Sequence, residues 1–407
     1  MTGPEPTARP KREMRPEPPV ATARLVDPEL HATGDPHALW RWMREHAPVH
    51  RHAAAQLPEF WSLVRYDDVR AVYRDPAVFS SAQGVLLRPN SLGEDPGGGL
   101  TLALTDPPRH TQLRSMVAPP FAAPSARSME EFFSATTRQV LARAVEQGEC
   151  DFAHDVAGRL SIYVVCHLMG VPAQDHETLF GWTNEAFVAG QPLTSHVQFM
   201  QYFIQLMYER MSKPAGDLVS LLVDGTVDGE LLTEEEVLLN CENIVGATEN
   251  TGLSMASGLL AFLNHPDEWR RLQADRGLLN TAVEEVLRWT TSATHSMRTV
   301  TAPTVLRGLR IAAGDRVVLW LPSANRDAEA FPEPDRFDIG RRPNRHLALG
   351  TGEHGCIGAT MARKQTRILF SALLDMTAGI ERSGPVVALR SIAVNGPERL
   401  PVRIMPR

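Results

Sequence analysis

The chain has 407 residues, of which 43% are hydrophobic, and a formal net charge of −7. Length and apolar content suit a globular protein with a large core, and an acidic balance without a basic block or stripe argues against a nucleic-acid partner. The four cysteines, Cys150, Cys166, Cys241 and Cys356, show neither close pairing nor CxxC spacing, so neither a disulfide framework nor a zinc site is implied and a reducing cytoplasm fits.

Met1 to Val20 are rich in proline, arginine and glutamate and contain no apolar run, so they read as a disordered tail, neither signal peptide nor membrane anchor. Short helical patterns at Pro36–Met43 and Tyr66–Tyr73 flank a strand pattern at Phe60–Val64. Between Ser80 and Leu100 the chain loosens, with six glycines and prolines from Pro89 onward, and a loop of that length is either functional or merely mobile. Asp106 then offers an N-cap with Pro107 at the first helical position, which puts His110 and Arg114 one turn apart on one face. Such a pair is either solvated or a clamp for a carboxylate.

Ser128–Gly170 and Glu177–Met211 read as mostly helical, with a break near Gly190 and Pro192. Thr233 and Glu236 form a capping box, and no proline follows until Pro266. The spacing predicts one helix over Glu234–Asn264, roughly 45 Å long, apolar nearly all round and therefore buried. Its middle, Gly246-Ala247-Thr248-Glu249-Asn250-Thr251-Gly252, is polar. Buried polar groups cost stability unless bonded, so this is either a functional site or a set of satisfied core polars. Thr281–Trp289 reads as a helix with Glu285 and Arg288 at i, i+3, and Val305–Trp320 reads as a hairpin around Gly308 and Gly314.

The most informative stretch is His346–Arg363, where Cys356 is ringed by Gly350, Gly352, Gly355 and Gly358. A helix pattern follows over Ala359–Met376, so the cysteine precedes a helix N-terminus, where a thiol is expected to ionise more readily. A thiolate in a glycine-rich loop is a fitting soft ligand for haem iron, although a lone cysteine is more often a small buried hydrophobe.

Leu349-Gly350-Thr351-Gly352-Glu353-His354-Gly355-Cys356-Ile357-Gly358 resembles the haem-ligand loop of the cytochrome P450 family, Phe-Gly-x-Gly-x-His-x-Cys-x-Gly. Leu349, in place of the usual Phe, is its only departure. The resemblance runs from about Leu25 to Arg407. It implies a mainly α fold with a small β region, the cytochrome P450 fold, as one large domain over 21–407 with a buried haem b. Cys356 would be the metal ligand, with Leu349, Gly350, His354 and Gly358 around the cofactor. His110, Arg114 and Arg298 would hold the haem propionates, and Gly246 and Ala247 would give the cofactor room.

The polar centre of the long helix resembles the family's oxygen-activating Ala-Gly-x-Glu-Thr-Thr, with Glu249 as its acid. Asn250 stands where the family has a hydroxyl-bearing threonine, so Thr248, Asn250 and Thr251 compete as partners in proton delivery. Glu285 and Arg288 resemble the Glu-x-x-Arg signature, engaged by a later arginine, Arg341 or its neighbour Arg342, that braces the cysteine loop. By resemblance the substrate pocket takes Leu86, Leu87, Val245, Ala293, Thr294, His295, Ala393 and Val394. Trp182, Phe187 and Val188 would lie on a helix pair that lids it, unless their aromatic stripe is core.

These assignments imply a soluble, bacterial-type, cytoplasmic and monomeric haem-thiolate monooxygenase. It would hydroxylate or epoxidise a small secondary-metabolite intermediate, possibly carried by a carrier protein, with a ferredoxin and a ferredoxin reductase as electron donors and neither membrane nor nucleic acid as partner. The rival is a haem-thiolate enzyme that couples, rearranges or uses peroxide without inserting oxygen. Arg341, Arg342, Arg345, Arg363 and Lys364 would form the docking patch for an acidic redox partner.

Overall fold

The computed structural model describes residues 21–53, 57–87, 95, 97–187 and 192–407. The expected tail at 1–20, most of the loop tip at 88–96 and the pocket residue Val188 lie outside the described residues.

Among the described residues, twelve principal helices carry the architecture, and local signals start and stop them. α1 (Pro36–His46) begins where the Asp35 carboxylate accepts the Ala38 N–H at 3.1 Å, with Pro36 at the first position. α2 (Tyr66–Tyr73) and α3 (Arg109–Val117) follow. α4 (Glu130–Gln147) ends on Gly148, and α5 (Arg159–Met169), entered through a π-helical turn at Phe152–Gly158, ends on Gly170. α6 (His176–Phe187) and α7 (Pro192–Ser212) pack together. Then come α8 (Glu234–Ala247), α9 (Glu249–Asn264), α10 (Pro266–Ala274), α11 (Leu279–Thr290) and α12 (Ala359–Met376).

The helix expected over Glu234–Asn264 is divided at Thr248 into α8 and α9. The Thr248 hydroxyl donates to the Val245 carbonyl at 2.7 Å, the Thr248 N–H takes the same oxygen, and the Thr251 N–H takes the Thr248 carbonyl. These i−3 bonds tighten the turn and interrupt the α-helical ladder. The capping box at Thr233 and Glu236 is formed, and Glu236 also pairs with Arg109 of α3.

The two halves run through different parts of the core. Val237, Cys241 and Val245 of α8 pack with Ile162 and Val165 of α5 and Phe203 of α7. Met255, Leu259 and Phe262 of α9 pack with Val286 of α11 and Phe370 of α12. Burying a side chain such as Phe262 contributes roughly 1.5–3 kcal/mol, and its ring stands edge-on to Trp269, Phe337 and Phe370. Gly258 permits the close crossing: a Cβ there would lie 2.7 Å from Val286 and 2.9 Å from Phe370.

The main sheet contains β1 (Val49–His52), β2 (Phe60–Leu63), β3 (Phe79–Ser80), β5 (His295–Val300) and β6 (Arg316–Trp320), in the order β1-β2-β6-β5-β3. β6 pairs parallel with β2 and antiparallel with β5, placing Val318 beside both Ser62 and Met297. A second sheet joins β4 (Glu149–Asp151), β7 (Thr377–Arg382) and β8 (Pro401–Pro406) in the order β7-β8-β4. The expected Val305–Trp320 hairpin is shorter: Thr304–Leu306 pairs with Leu309–Ile311, while the apolar run Val317–Trp320 is drawn into the main sheet. Among the described residues no helix is long and apolar enough to cross a membrane.

Candidate active site

The cysteine loop is anchored from below by α11. Glu285 and Arg288, far from being a surface pair, are both fully buried, and two parallel bonds of 2.8 Å join them. Arg288 also donates to the carbonyls of Asn325, Pro334 and Arg336. Arg341 reaches Glu285 at 3.1 Å and donates to Pro332, Glu333 and Arg336 carbonyls, whereas Arg342 is exposed. Glu285 additionally accepts from the Asp338 N–H and from Asn344. Glu285, Arg288 and Arg341 are all paired, the condition under which a buried ion pair holds a structure firmly, while the Asn344 Oδ1 has no partner among the described residues. Asn325 extends this network by accepting the Leu347 N–H at 2.7 Å.

From that base the chain turns back toward Cys356. Gly350 and Gly352 have φ of 64° and 73°, and a Cβ on Gly352 would lie 2.5 Å from the Tyr73 carbonyl, so only glycine fits there. The Cys356 N–H donates to the Leu349 carbonyl at 2.8 Å, and Gly358 caps α12. Cys356 is exposed to the cavity; the protein packed around it raises its thiol from the ordinary value, while the Gly358 N–H, Arg114 and Arg363 act to lower it.

Cys356 opens onto a cavity with about 1490 Å³ of empty space, its mouth included. Leu349, Gly350, His354 and Gly358 lie on the same wall, with Arg298 and Tyr73 to one side. Arg298 is 4% exposed, stacks over Tyr73 at 5.1 Å and, among the described residues, donates only to Ser296 and the Met297 carbonyl. His110 is fully buried, with its ring 4.1 Å from that of His354; both nitrogens of His110 and Nε2 of His354 lack partners among the described residues. Unpaired buried donors are costly. This set, with one sulfur opposite it, fits a flat metal-bearing group with carboxylate arms: a haem.

The opposite wall is the break between α8 and α9. Ala247, Thr248, Asn250 and Thr251 line the cavity; Val245 and Gly246 do not, and Val245 is core. The Thr248 hydroxyl is committed to Val245, leaving Thr251 and Asn250, whose Oδ1 is buried without a partner among the described residues. Glu249 points elsewhere, into a separate cavity with Ser161, Thr183 and Glu398, where burial pushes its carboxyl up to about 8.

The substrate end departs from the sequence expectation in several places. Leu86 and Ala293 line the cavity, and His295 contributes to it. Leu87 and Thr294 are buried behind it, and Ala393, whose carbonyl accepts the Thr294 N–H, and Val394, which faces Ala293 across a β-bridge, do not line it. Trp182 packs into the helical core with its ring edge toward Tyr202, away from the cavity. The side chain of Phe187 lies outside the described residues. Residues not singled out from sequence include Val85, Leu102, Asn243, Ile244 and Ser296. Asn243, Ala247 and Asn250 stand at i, i+4, i+7, a helical-face signal that was available in the sequence.

A cytochrome P450 family model matches residues 191–376. Cytochrome P450 NovI of Streptomyces niveus is 34% identical over 389 residues, covering 93% of this chain and 96% of that protein. P450 OxyD, involved in the biosynthesis of vancomycin-type antibiotics, superposes with a TM-score of 0.88 at 33% identity, covering 94% of this chain and 99% of that one. P450BioI, solved with a fatty-acid-ligated acyl carrier protein, gives 0.82 at 25% identity, covering 91% and 98%. The chain belongs to the cytochrome P450 family. It is a haem-dependent P450 monooxygenase with the P450 fold.

Proposed function

We propose that residues 21–407 form one domain that binds haem b through Cys356 and hydroxylates or epoxidises a small natural-product intermediate. The observation that carries this reading is one cavity bounded by the Cys356 loop on one wall and the broken polar helix on the other. When bound, haem supplies dioxygen activation and transfer of one oxygen atom. The chain's own residues bind, orient and deliver protons.

In this reading Cys356 would give its sulfur to the iron, Arg114 and Arg298 would neutralise the carboxylate arms, and His110, its imidazole kept neutral by burial, would donate a hydrogen bond to them beside His354. Ala247, beside Gly246, leaves room at the helix break. Glu249, held protonated near neutral pH, is the proton reservoir, and Thr251 with Asn250 passes protons to the cavity side. Leu86, Ala293 and Ile244 shape the apolar end. Glu285, Arg288 and Arg341 hold the loop. Electrons come from a ferredoxin and its reductase to a monomeric, cytoplasmic enzyme. The docking patch reduces to exposed Arg342 and Arg345, because Arg341 is buried, Arg363 is bound to Glu284 and Lys364 to Glu130. The P450BioI complex supports a substrate presented on a carrier protein.

Asn250 favours a second reading, oxidation without oxygen insertion, because an amide does not relay protons as a hydroxyl does. The test is an optical titration of the ferric holoenzyme with free and carrier-bound polyketide, peptide and terpenoid intermediates, followed by product mass. A spin-state shift and a gain of one oxygen atom are expected. Loss of hydrogen alone would establish the second reading.

A further inference from the structure

His295 opens β5 and is 2% exposed, yet both of its ring nitrogens are engaged. Nδ1 lies 2.8 Å from the Ile392 carbonyl, and Nε2 lies 2.8 Å from the Leu87 N–H. A carbonyl only accepts and a backbone N–H only donates, so the ring must be neutral with its proton on Nδ1. Its two partners belong to segments far apart in the chain. Val85 and Leu86, beside Leu87, line the cavity, and so do Ser292, Ala293 and Ser296 around His295. The segment after Ile392 is bonded to that same stretch: Thr294 N–H to Ala393 O at 2.9 Å and Asn395 N–H to Ser292 O at 2.7 Å. Val85 receives one backbone bond from Met297 at 2.7 Å. His295 supplies the side-chain tie between the two outer segments.

We propose that His295 is a positioning residue whose neutral imidazole clasps Val85–Leu87 to the Ile392–Val394 segment and thereby fixes the roof of the substrate cavity. This rests on the reading of the cavity as the haem and substrate site. Trp320 packs against the ring at 5.4 Å. Among the described residues, the titratable group bearing on His295 is His31, stacked on Trp320 and itself held neutral by burial. No carboxylate faces the ring to draw a second proton onto it, so the clasp stays closed at physiological pH. Losing the ring would leave a buried N–H and a buried C=O unpaired, and the segments would part to reach water.

The test compares the haem-loaded wild type, His295→Phe and His295→Gln with two iron-ligating probes. Imidazole needs little of the roof; 4-phenylimidazole must seat its phenyl ring beneath it. The Phe variant should bind 4-phenylimidazole about tenfold more weakly and imidazole within about twofold of wild type, with hydrogen exchange accelerating together around Leu87 and Ile392. The Gln variant, whose amide donates and accepts, should recover much of the loss. Equal weakening of both probes, or unchanged exchange at Leu87, would overturn the clasp. If His295→Phe does not fold, His295→Asn replaces it: too short to reach both partners, it should lose 4-phenylimidazole where Gln retains it, and equal behaviour would overturn the proposal. A chain that takes up no haem would count against the reading of the cavity instead. Exchange in that haem-free chain would still decide the clasp, with coupled acceleration supporting it and independent behaviour refuting it.

Discussion

The two walls of the cavity are built on opposite principles. Beneath Cys356, Glu285, Arg288, Arg341 and Asn325 leave almost no buried polar group unpaired, and they fix the loop to carbonyls across a long stretch of chain. Across the cavity, Asn250 keeps a buried oxygen with no partner among the described residues, Glu249 on the far side of α9 has a carboxyl raised by burial, and the helix itself is interrupted. Rigidity is concentrated where a ligand atom must be held still, and unsatisfied polarity where protons and substrate must be handled.

If that contrast is right, damage to the satisfied wall should cost stability and damage to the other should cost chemistry. The largest effect is expected from Arg288→Ala, which removes two of the bonds to buried Glu285 and takes the guanidinium from the carbonyls of Asn325, Pro334 and Arg336. Unfolding free energy should fall by about 3–5 kcal/mol, measured by denaturant titration, and a loss below about 1 kcal/mol would show the pair to be dispensable.

Acid should come next. Burial lowers His52 to about 3 and His295 to about 4, against about 6.5 in the unfolded chain. The unfolded state therefore binds more protons below about pH 6.5, and stability falls as pH drops from there toward the folded values. Each histidine should cost about 2 kcal/mol by pH 5. Equal stability at pH 7 and pH 5 would contradict their burial.

On the unsatisfied wall, Glu249→Gln should lower turnover about tenfold at pH 7 without lowering stability. It should also remove an alkaline fall in activity near pH 8, where the wild-type carboxyl ionises. A variant that keeps that alkaline limb would assign it to another group. Smallest of all, Asn250→Thr should change the product formed per reductant consumed by about twofold, and an unchanged ratio would make Asn250 neutral for proton handling.

The same division governs what could be read in the chain. The Cys356 loop was legible because closely spaced glycines must answer a local backbone demand, shown at Gly352 against Tyr73. The helices were legible from caps and periodicity. The break at Thr248 was not, since it depends on where one hydroxyl turns. Glu285 and Arg288 look like an ordinary surface pair until tertiary packing buries them. Glu249 and Asn250 are neighbours in sequence, yet the helical rotation between them sends one to each side of α9. Thr294, Ala393 and Val394 lie close to the cavity but face away from it, because strand alternation and bridge pairing decide their direction.

The most direct measurement is the absorption spectrum of the reduced carbon monoxide complex of the wild type beside Cys356→Ser. The account predicts a thiolate-type spectrum in the wild type and its complete loss in the variant. Survival of that spectrum in Cys356→Ser would contradict the assignment of Cys356 as the ligand.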